Sequence, residues 1–190
     1  MNFFTSDTHF GHSKVIPYCN RPFKDADEMD AELIRRWNTV VSKDDTVYHL
    51  GDFAWRGSTF VSSILPQLNG HKILIMGNHD TKFKRHKWER LGFETAIAPY
   101  GASVYIKGKP VLMSHFPYKD MQHDDRRFDD YQHENDGRLL LHGHVHCAWK
   151  KNGNMINVGV DQWSFAPVSE DEILKLLIGE SNEKLQPERT

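Results

Sequence analysis

A chain of 190 residues with 38% hydrophobic and 26% charged side chains suits one globular domain with a real core. A net charge of −2 argues against a chain-wide basic surface for nucleic acid or anionic membrane, and two cysteines, Cys19 and Cys147, are too few for a disulfide scaffold. No basic-then-apolar leader and no window of membrane-spanning length is visible, so a cytoplasmic protein with one domain over residues 1–190 is expected.

In chain order, "NFFTSD" (2–7) reads as a short strand ending in polar residues. The following stretch, with Gly11, Pro17 and Pro22, reads as loop or broken turns. Residues 25–41 are helical, because Met29, Leu33, Trp37 and Val40 recur at helical spacing behind an acidic first turn. A strand over 45–53 follows, then a helix over 58–70 that Pro66 should bend or shorten. "KILIMGNHD" (72–80) is a buried strand whose apolar run stops at Gly77. The basic run "TKFKRHKWER" (81–90) lies in a helix, as a solvated face or as a phosphate contact. From residue 93 short β-rich runs broken by Gly and Pro predict hairpin pairing. Residues 119–137 are a long polar loop, a lid or substrate rim or else disordered surface. "RLLLHGHVH" and "NMINVGVD" are two more strands, and Ser169 caps a last helix over 169–179 before a frayed tail. Strand–helix alternation in the first half implies a largely parallel sheet, and the hairpins of the second half a second, mixed one.

Five polar clusters stand where apolar runs stop: "SDTHFGH" (6–12), "LGDFAWRG" (50–57), "MGNHD" (76–80), "MSHFPY" (113–118) and "LHGHVH" (141–146). Ligands of α/β sheets bind beyond the carboxyl ends of strands, so clusters far apart in sequence can meet there. Carboxylates, imidazoles and an amide without a thiol suit manganese, iron, zinc or nickel rather than calcium. Asp7, His9, Asp52, Asn78, His115, His144 and His146 are too many donors for one tetrahedral ion with an open position, but enough for two ions sharing a carboxylate. Each cluster alone has an ordinary explanation in caps and turns, and a shuffled chain would show Gly-His-x-His roughly once in twenty trials. All five in order at strand ends leave those explanations behind. His49, His71, His86, His123 and His133 read as core or surface residues, His142 should face away from His144, and His12 is a substrate contact or a plain loop residue. Trp55, Phe10, Tyr118, Trp149 and Trp163 are stacking candidates, although core packing is the commoner fate.

With these blocks laid out, the chain resembles the calcineurin-like metallophosphoesterases, whose Asp-x-His, Gly-Asp, Gly-Asn-His-Asp, lone His and Gly-His-x-His blocks all occur here between Asp7 and His146. The stretch 157–169 is similar to small bacterial and phage members. The resemblance implies an α/β fold, a four-layer αββα sandwich of two mixed β-sheets flanked by helices, with two divalent metal ions (manganese first, then iron, zinc or nickel) at the sheet ends. It implies that Asp7, His9 and His146 hold one ion, that Asn78, His115 and His144 hold the other, and that Asp52 bridges. It implies further that His79 is the acid beside the leaving group, that Asp80 orients it, and that Arg56 contacts phosphate, although Trp55 stands where related phosphatases carry an acid.

The implied reaction is hydrolysis of a phosphate ester, with a metal-bridging hydroxide as nucleophile and imidazolium His79 as general acid. An open site would admit nucleotide-like compounds. A diesterase is expected ahead of a monoesterase. A metal-dependent nuclease would want a basic groove, and a non-enzymatic scaffold on this fold would be expected to have lost His79 or several ligands. No membrane or specific nucleic-acid partner is expected.

Overall fold

The computed structural model describes residues 1–99, 101–119 and 128–183, the last six by backbone alone. The centre of the expected 119–137 loop, His123 and the tail beyond 183 lie outside the described residues. The first half runs β1 (Asn2–Thr5), α1 (Val15–Tyr18), α2 (Ala26–Val40), β2 (Thr46–His49), α3 (Ser58–Ile64), β3 (His71–Ile75), α4 (Arg85–Leu91) and β4 (Thr95–Ile97). The second runs β5 (Ala102–Ile106), β6 (Lys109–Met113), β7 (Leu139–His142), β8 (Lys151–Asn152), β9 (Met155–Asn157), β10 (Val168–Ser169) and α5 (Glu170–Glu183).

Two mixed sheets form, as expected. One has the order β10-β1-β2-β3-β4, parallel except for β10; the other has the order β5-β6-β7-β9-β8, parallel at its centre and antiparallel at both edges. The alternation of side chains along a strand sorts residues between two layers. Phe3, Val47 and Leu74 point one way, into a core with Met29, Leu33 and Trp37 of α2, Val61 of α3 and Trp88 of α4. Phe4 and Ile75 point the other way, between the sheets, against Val111, Met113, Leu141 and Ile156 and against Ile173 of α5. A smaller cluster of Leu112, Tyr118 and Leu140 lies apart from both.

Local chemistry explains the helices that support this core. Asp25 caps α2 by accepting from the Glu28 amide at 2.9 Å, and the Glu28 carboxylate reaches back to accept from the amide of Lys24, one residue before the cap, at 2.7 Å. The stripe Met29, Leu33, Trp37 is buried as expected, each side chain worth about 1.5–3 kcal/mol of burial. Val40 departs from it: α2 ends there, the next residue Val41 turns inward instead, and Val40 stays exposed. Ser169 caps α5 through a reciprocal box with Glu172, its hydroxyl 3.3 Å from the Glu172 amide. Pro66 falls in a 3-10 turn that shortens α3. The basic run 81–90 spreads over a 3-10 turn and α4 and is mostly exposed.

Expected strands are longer than observed ones for one reason. Residues 6–7, 50–53, 76–80 and 143–146 belong by sequence to strands, but here the backbone leaves the sheet. The chain also forms α1, β8 and β10, which apolar patterning did not reveal because two of these are two residues long and α1 contains Pro17.

Candidate metal centre

The loops after β1, β2, β3, β6 and β7 meet at one end of the two sheets. Hydrogen bonds Asp7 N to Gly51 O (3.0 Å) and His9 N to Asp52 O (3.0 Å) zip the first two, and Gly143 N to His115 O (3.0 Å) joins the loops after β6 and β7. Asp7, His9, Asp52, His144 and His146 all have φ between 47° and 69°. L residues avoid this left-handed region, and such strain concentrates where surroundings over-determine it, commonly at functional sites. Glycine allows the crowding. A Cβ on Gly143 would collide with the Ser6 hydroxyl and lie 2.5 Å from Asp7 Oδ2, and one on Gly77 would meet the Asp52 carboxylate and amide. The histidines gather around Gly143 because only a hydrogen side chain lets the β7 turn touch the Asp7 loop.

Side chains converge accordingly. His9 Nε2 lies 4.0 Å from Asp7 Oδ1 and 3.6 Å from Asp52 Oδ2. His146 Nε2 lies 3.8 Å from Asp7 Oδ1, with its ring stacked 5.0 Å from that of His9. His115 Nδ1 bonds to the Leu50 carbonyl at 2.8 Å, which turns Nε2 to within 3.5 Å of Asp52 Oδ2 and 3.1 Å of Asn78 Oδ1. The His144 ring sits 5.2 Å from that of His115, and its backbone amide donates to Asp7 Oδ2 at 3.0 Å. The structure therefore brings all seven sequence-predicted donors together, with Asp52 between the two halves.

The electrostatics favour a cation. Burial pushes Asp52 up to about 7, with Asp80 and Asp7 adding to the rise against the pull of His115. Burial also raises Asp80. Asp7 goes the other way: burial opposes it, but His146, His115, His9 and the Ser6 hydroxyl hold its carboxyl well below the usual range. Burial drives His9 well below 6.5, and burial with His115 lowers His144 to about 3, so both are neutral imidazoles with a lone pair to give. His146 is pushed up to about 11 by Asp7 and Asp161 although burial opposes this.

Residue types and geometry fit divalent ions. Both ring nitrogens of His9 are buried without a hydrogen-bond partner. Two donors about 2.0–2.2 Å from a shared cation can stand at most about 4.4 Å apart, and the separations of 3.5–4.0 Å above meet that limit. Asp7, His9 and His146 offer ligand atoms within 4.8 Å of one another, and so do Asp7, Asp52 and His115. Cys19, His146 and Asp161 form a third such group, but Arg21 already fills the Asp161 carboxylate.

Other expected residues divide. His79 stands at the site: its amide donates to Asp52 Oδ1 at 2.9 Å, its Nε2 is 3.9 Å from Asp52 Oδ2, and burial, then His115 and Lys82, lower its pKa. Among the described residues, the hydrogen bonds of the Asp80 carboxylate go to backbone amides and not to the His79 ring. Its oxygens accept from the backbone amides of Asp52 (2.6 Å), Gly77 (2.9 Å) and Phe53 (3.1 Å), so it fastens the β2 and β3 loops together. Arg56 is not brought to the site. It reaches Asp27 at 3.8 Å, lies over Phe60 and is half exposed, because the loop after Ala54 carries it outward beneath Gly11. His12 lines the site and stacks on Trp55 at 4.1 Å. His49 is a core residue bonded to the Thr8 hydroxyl, and His142 is buried against Trp149, as expected.

Sequence reasoning missed the supports. Arg21 donates to the carbonyls of Asp7 (2.7 Å) and Thr8 (3.2 Å) and pairs twice with Asp161 at 2.8 Å. The Ser6 hydroxyl donates to Asp7 Oδ2 at 2.7 Å, and Asn157 donates to the His146 carbonyl at 2.8 Å. Asn157 and Asp161 sit at and just past the end of β9, a sixth polar strand end that the strand-end rule would have flagged; nothing in the sequence marks Arg21. A cavity of about 840 Å³, walled by His9, His12, Asp52, His79, His144 and His146 among others, opens over the donors.

Residues 3–148 match the family of calcineurin-like phosphoesterases. The chain is 34% identical to the Gene 66 protein of Mycobacterium phage L5, over 92% of each. It is 32% identical to an uncharacterized protein of Methanocaldococcus jannaschii, over 92% of this chain and 90% of that one. Among solved structures, a protein of unknown function from Aquifex aeolicus is similar with a TM-score of 0.72 and 33% identity, over 93% of this chain and 98% of that one. Among the described residues, no helix is long and apolar enough to cross a membrane.

Proposed function

The chain belongs to the calcineurin-like phosphoesterase family and is a metal-dependent phosphoesterase; on that premise we propose that it hydrolyses phosphodiesters. Asp7, His9 and His146 would hold one divalent ion and Asn78, His115 and His144 the other, with Asp52 shared. Two such ions, manganese before iron, zinc or nickel, would when bound offset charge on the phosphate oxygens and lower the pKa of an attacking water.

The remaining work falls to this chain's own groups. His79 Nε2 delivers a proton to the departing oxygen, a contribution typically of about 10²–10⁴-fold. Because burial, His115 and Lys82 lower its pKa below the ordinary 6.5, its acid form is the minority near neutral pH and the contribution shrinks as pH rises. Asp80 keeps Asp52 and His79 in register by holding the two loops that carry them.

One observation carries the diester reading. A second cavity of about 420 Å³ shares Asn78 and His79 as lining with the main one, which leaves room for an ester arm on either side of a phosphate at the ions. Arg56, which would suit the extra charge of a terminal phosphate, is turned towards Asp27 instead. The test compares bis-p-nitrophenyl phosphate with p-nitrophenyl phosphate after chelation and re-addition of manganese. Activity that vanishes and returns, and that favours the diester, is expected; a preference for the monoester contradicts the reading.

A further inference from the structure

Of the five stacking candidates, four are spoken for. Phe10 and Tyr118 are core residues, Trp149 packs on His142, and Trp163 lies under the Lys150 ammonium and bonds to the Asn157 carbonyl. Trp55 is different, since 49% of it is exposed.

The indole is held. His12 lies parallel to it, with rings 4.1 Å apart and 6° from coplanar. The Trp55 amide donates to the Phe10 carbonyl at 2.9 Å. Lys82 donates to the carbonyls of Ala54, Trp55 (3.1 Å) and Arg56 (3.2 Å), which ties this loop to the 3-10 turn that starts at His79. The Trp55 ring centroid is consequently 5.1 Å from that of His79. Beside both rings opens the second cavity, lined by Trp55, Asn78, His79, Thr81 and Lys82. A flat aromatic wall, braced on one side and fixed beside the proton donor, borders the space into which a leaving group must depart.

We propose that Trp55 is a specificity residue: it stacks the nucleobase of a leaving nucleoside, so the substrate class is a phosphodiester with a nucleoside on the His79 side. This rests on the diesterase reading above. Every base has a π face, so such a platform prefers bases over none without choosing strongly among them.

The test uses the full chain loaded with manganese. Adenosine and ribose are compared as ligands by quenching of indole emission. The dinucleotide adenylyl-adenosine is compared in kcat/KM with its two abasic analogues, each lacking one base. Adenosine should quench and ribose should not. One abasic analogue should fall about 5- to 100-fold below the dinucleotide, the range that base–aromatic stacking supplies. Trp55→Ala should erase both differences, and Trp55→Phe, which has no indole to quench, should keep most of the difference in kcat/KM. Equal loss on all three diesters in Trp55→Ala, or a wild type indifferent to the missing base, overturns the proposal. If no diester is hydrolysed, the catalytic reading has failed, and adenosine binding alone decides: quenching that survives in Trp55→Ala at full strength, or is absent in the wild type, rejects the stacking role.

Discussion

The carboxylate of Asp161 stands 3.5 Å from Nδ1 of His146. Its oxygens also take two 2.8 Å hydrogen bonds from Arg21, whose guanidinium grips the carbonyls of Asp7 and Thr8. One buried ion pair thus holds the Asp7 loop and stands beside the His146 imidazole. Outer carboxylates of this kind orient metal-binding histidines, and their loss costs about 10–100-fold in metal affinity. Asp161→Asn should weaken manganese binding by about that factor in a calorimetric titration of chelated protein; unchanged affinity would count against the role. Asp161→Ala should also destabilise the fold by about 3–5 kcal/mol, because it strands a buried guanidinium.

The β7 turn makes a second prediction. A methyl group on Gly143 meets the Ser6 hydroxyl and Asp7, groups that are themselves buried and bonded to each other. Gly143→Ala should cost about 1–3 kcal/mol by overpacking, lower the melting temperature by several degrees, and reduce bound manganese measured by elemental analysis. Gly57→Ala serves as the control, since nothing lies within 4 Å of the methyl it would add and its φ is an ordinary −71°. A Gly143→Ala protein as stable and as metal-rich as Gly57→Ala would contradict the packing argument.

A third prediction concerns acid. His49, the last residue of β2, is fully buried, and burial takes its pKa from 6.5 down to about 3. Between those values the unfolded chain binds a proton that the folded chain refuses. Stability from a neutral His49 is therefore complete above pH 6.5 and drains as pH falls towards 3, at up to about 1.4 kcal/mol per pH unit. Urea midpoints of the chelated protein across pH 4–7 should fall on acidification, and His49→Asn should flatten that fall after allowance for its own cost. An equal slope in the variant would assign the acid sensitivity elsewhere.

The site was more legible in the sequence than the fold that carries it. Donor identity and order survive in short blocks such as Gly-Asn-His-Asp, and the strand-end rule needs only the place where an apolar run stops. Short apolar runs that stop at polar residues made β1 to β3 readable, and the structure then sorts Phe3 and Phe4, or Val47 and Tyr48, to opposite layers. What stayed hidden depends on tertiary contact. Arg56 kept the right spacing yet swung to Asp27, because a sequence block fixes a loop's length and not its exit direction. Asp80 looked like a partner for its neighbour His79, but three amides, two from the β2 loop and one from its own, claim its carboxylate. Arg21 bonds to carbonyls, which carry no side-chain identity that a sequence pattern could register.

The central claim is that seven donors from five strand ends hold two ions with Asp52 common to both. Anomalous diffraction at the manganese edge, from crystals grown with that ion, tests it most directly. Two peaks are predicted, one enclosed by Asp7, His9 and His146 and the other by Asn78, His115 and His144, with the Asp52 carboxylate between them; in Asp52→Asn crystals at least one should fade. A single peak, or two that persist undiminished in Asp52→Asn, would contradict the account.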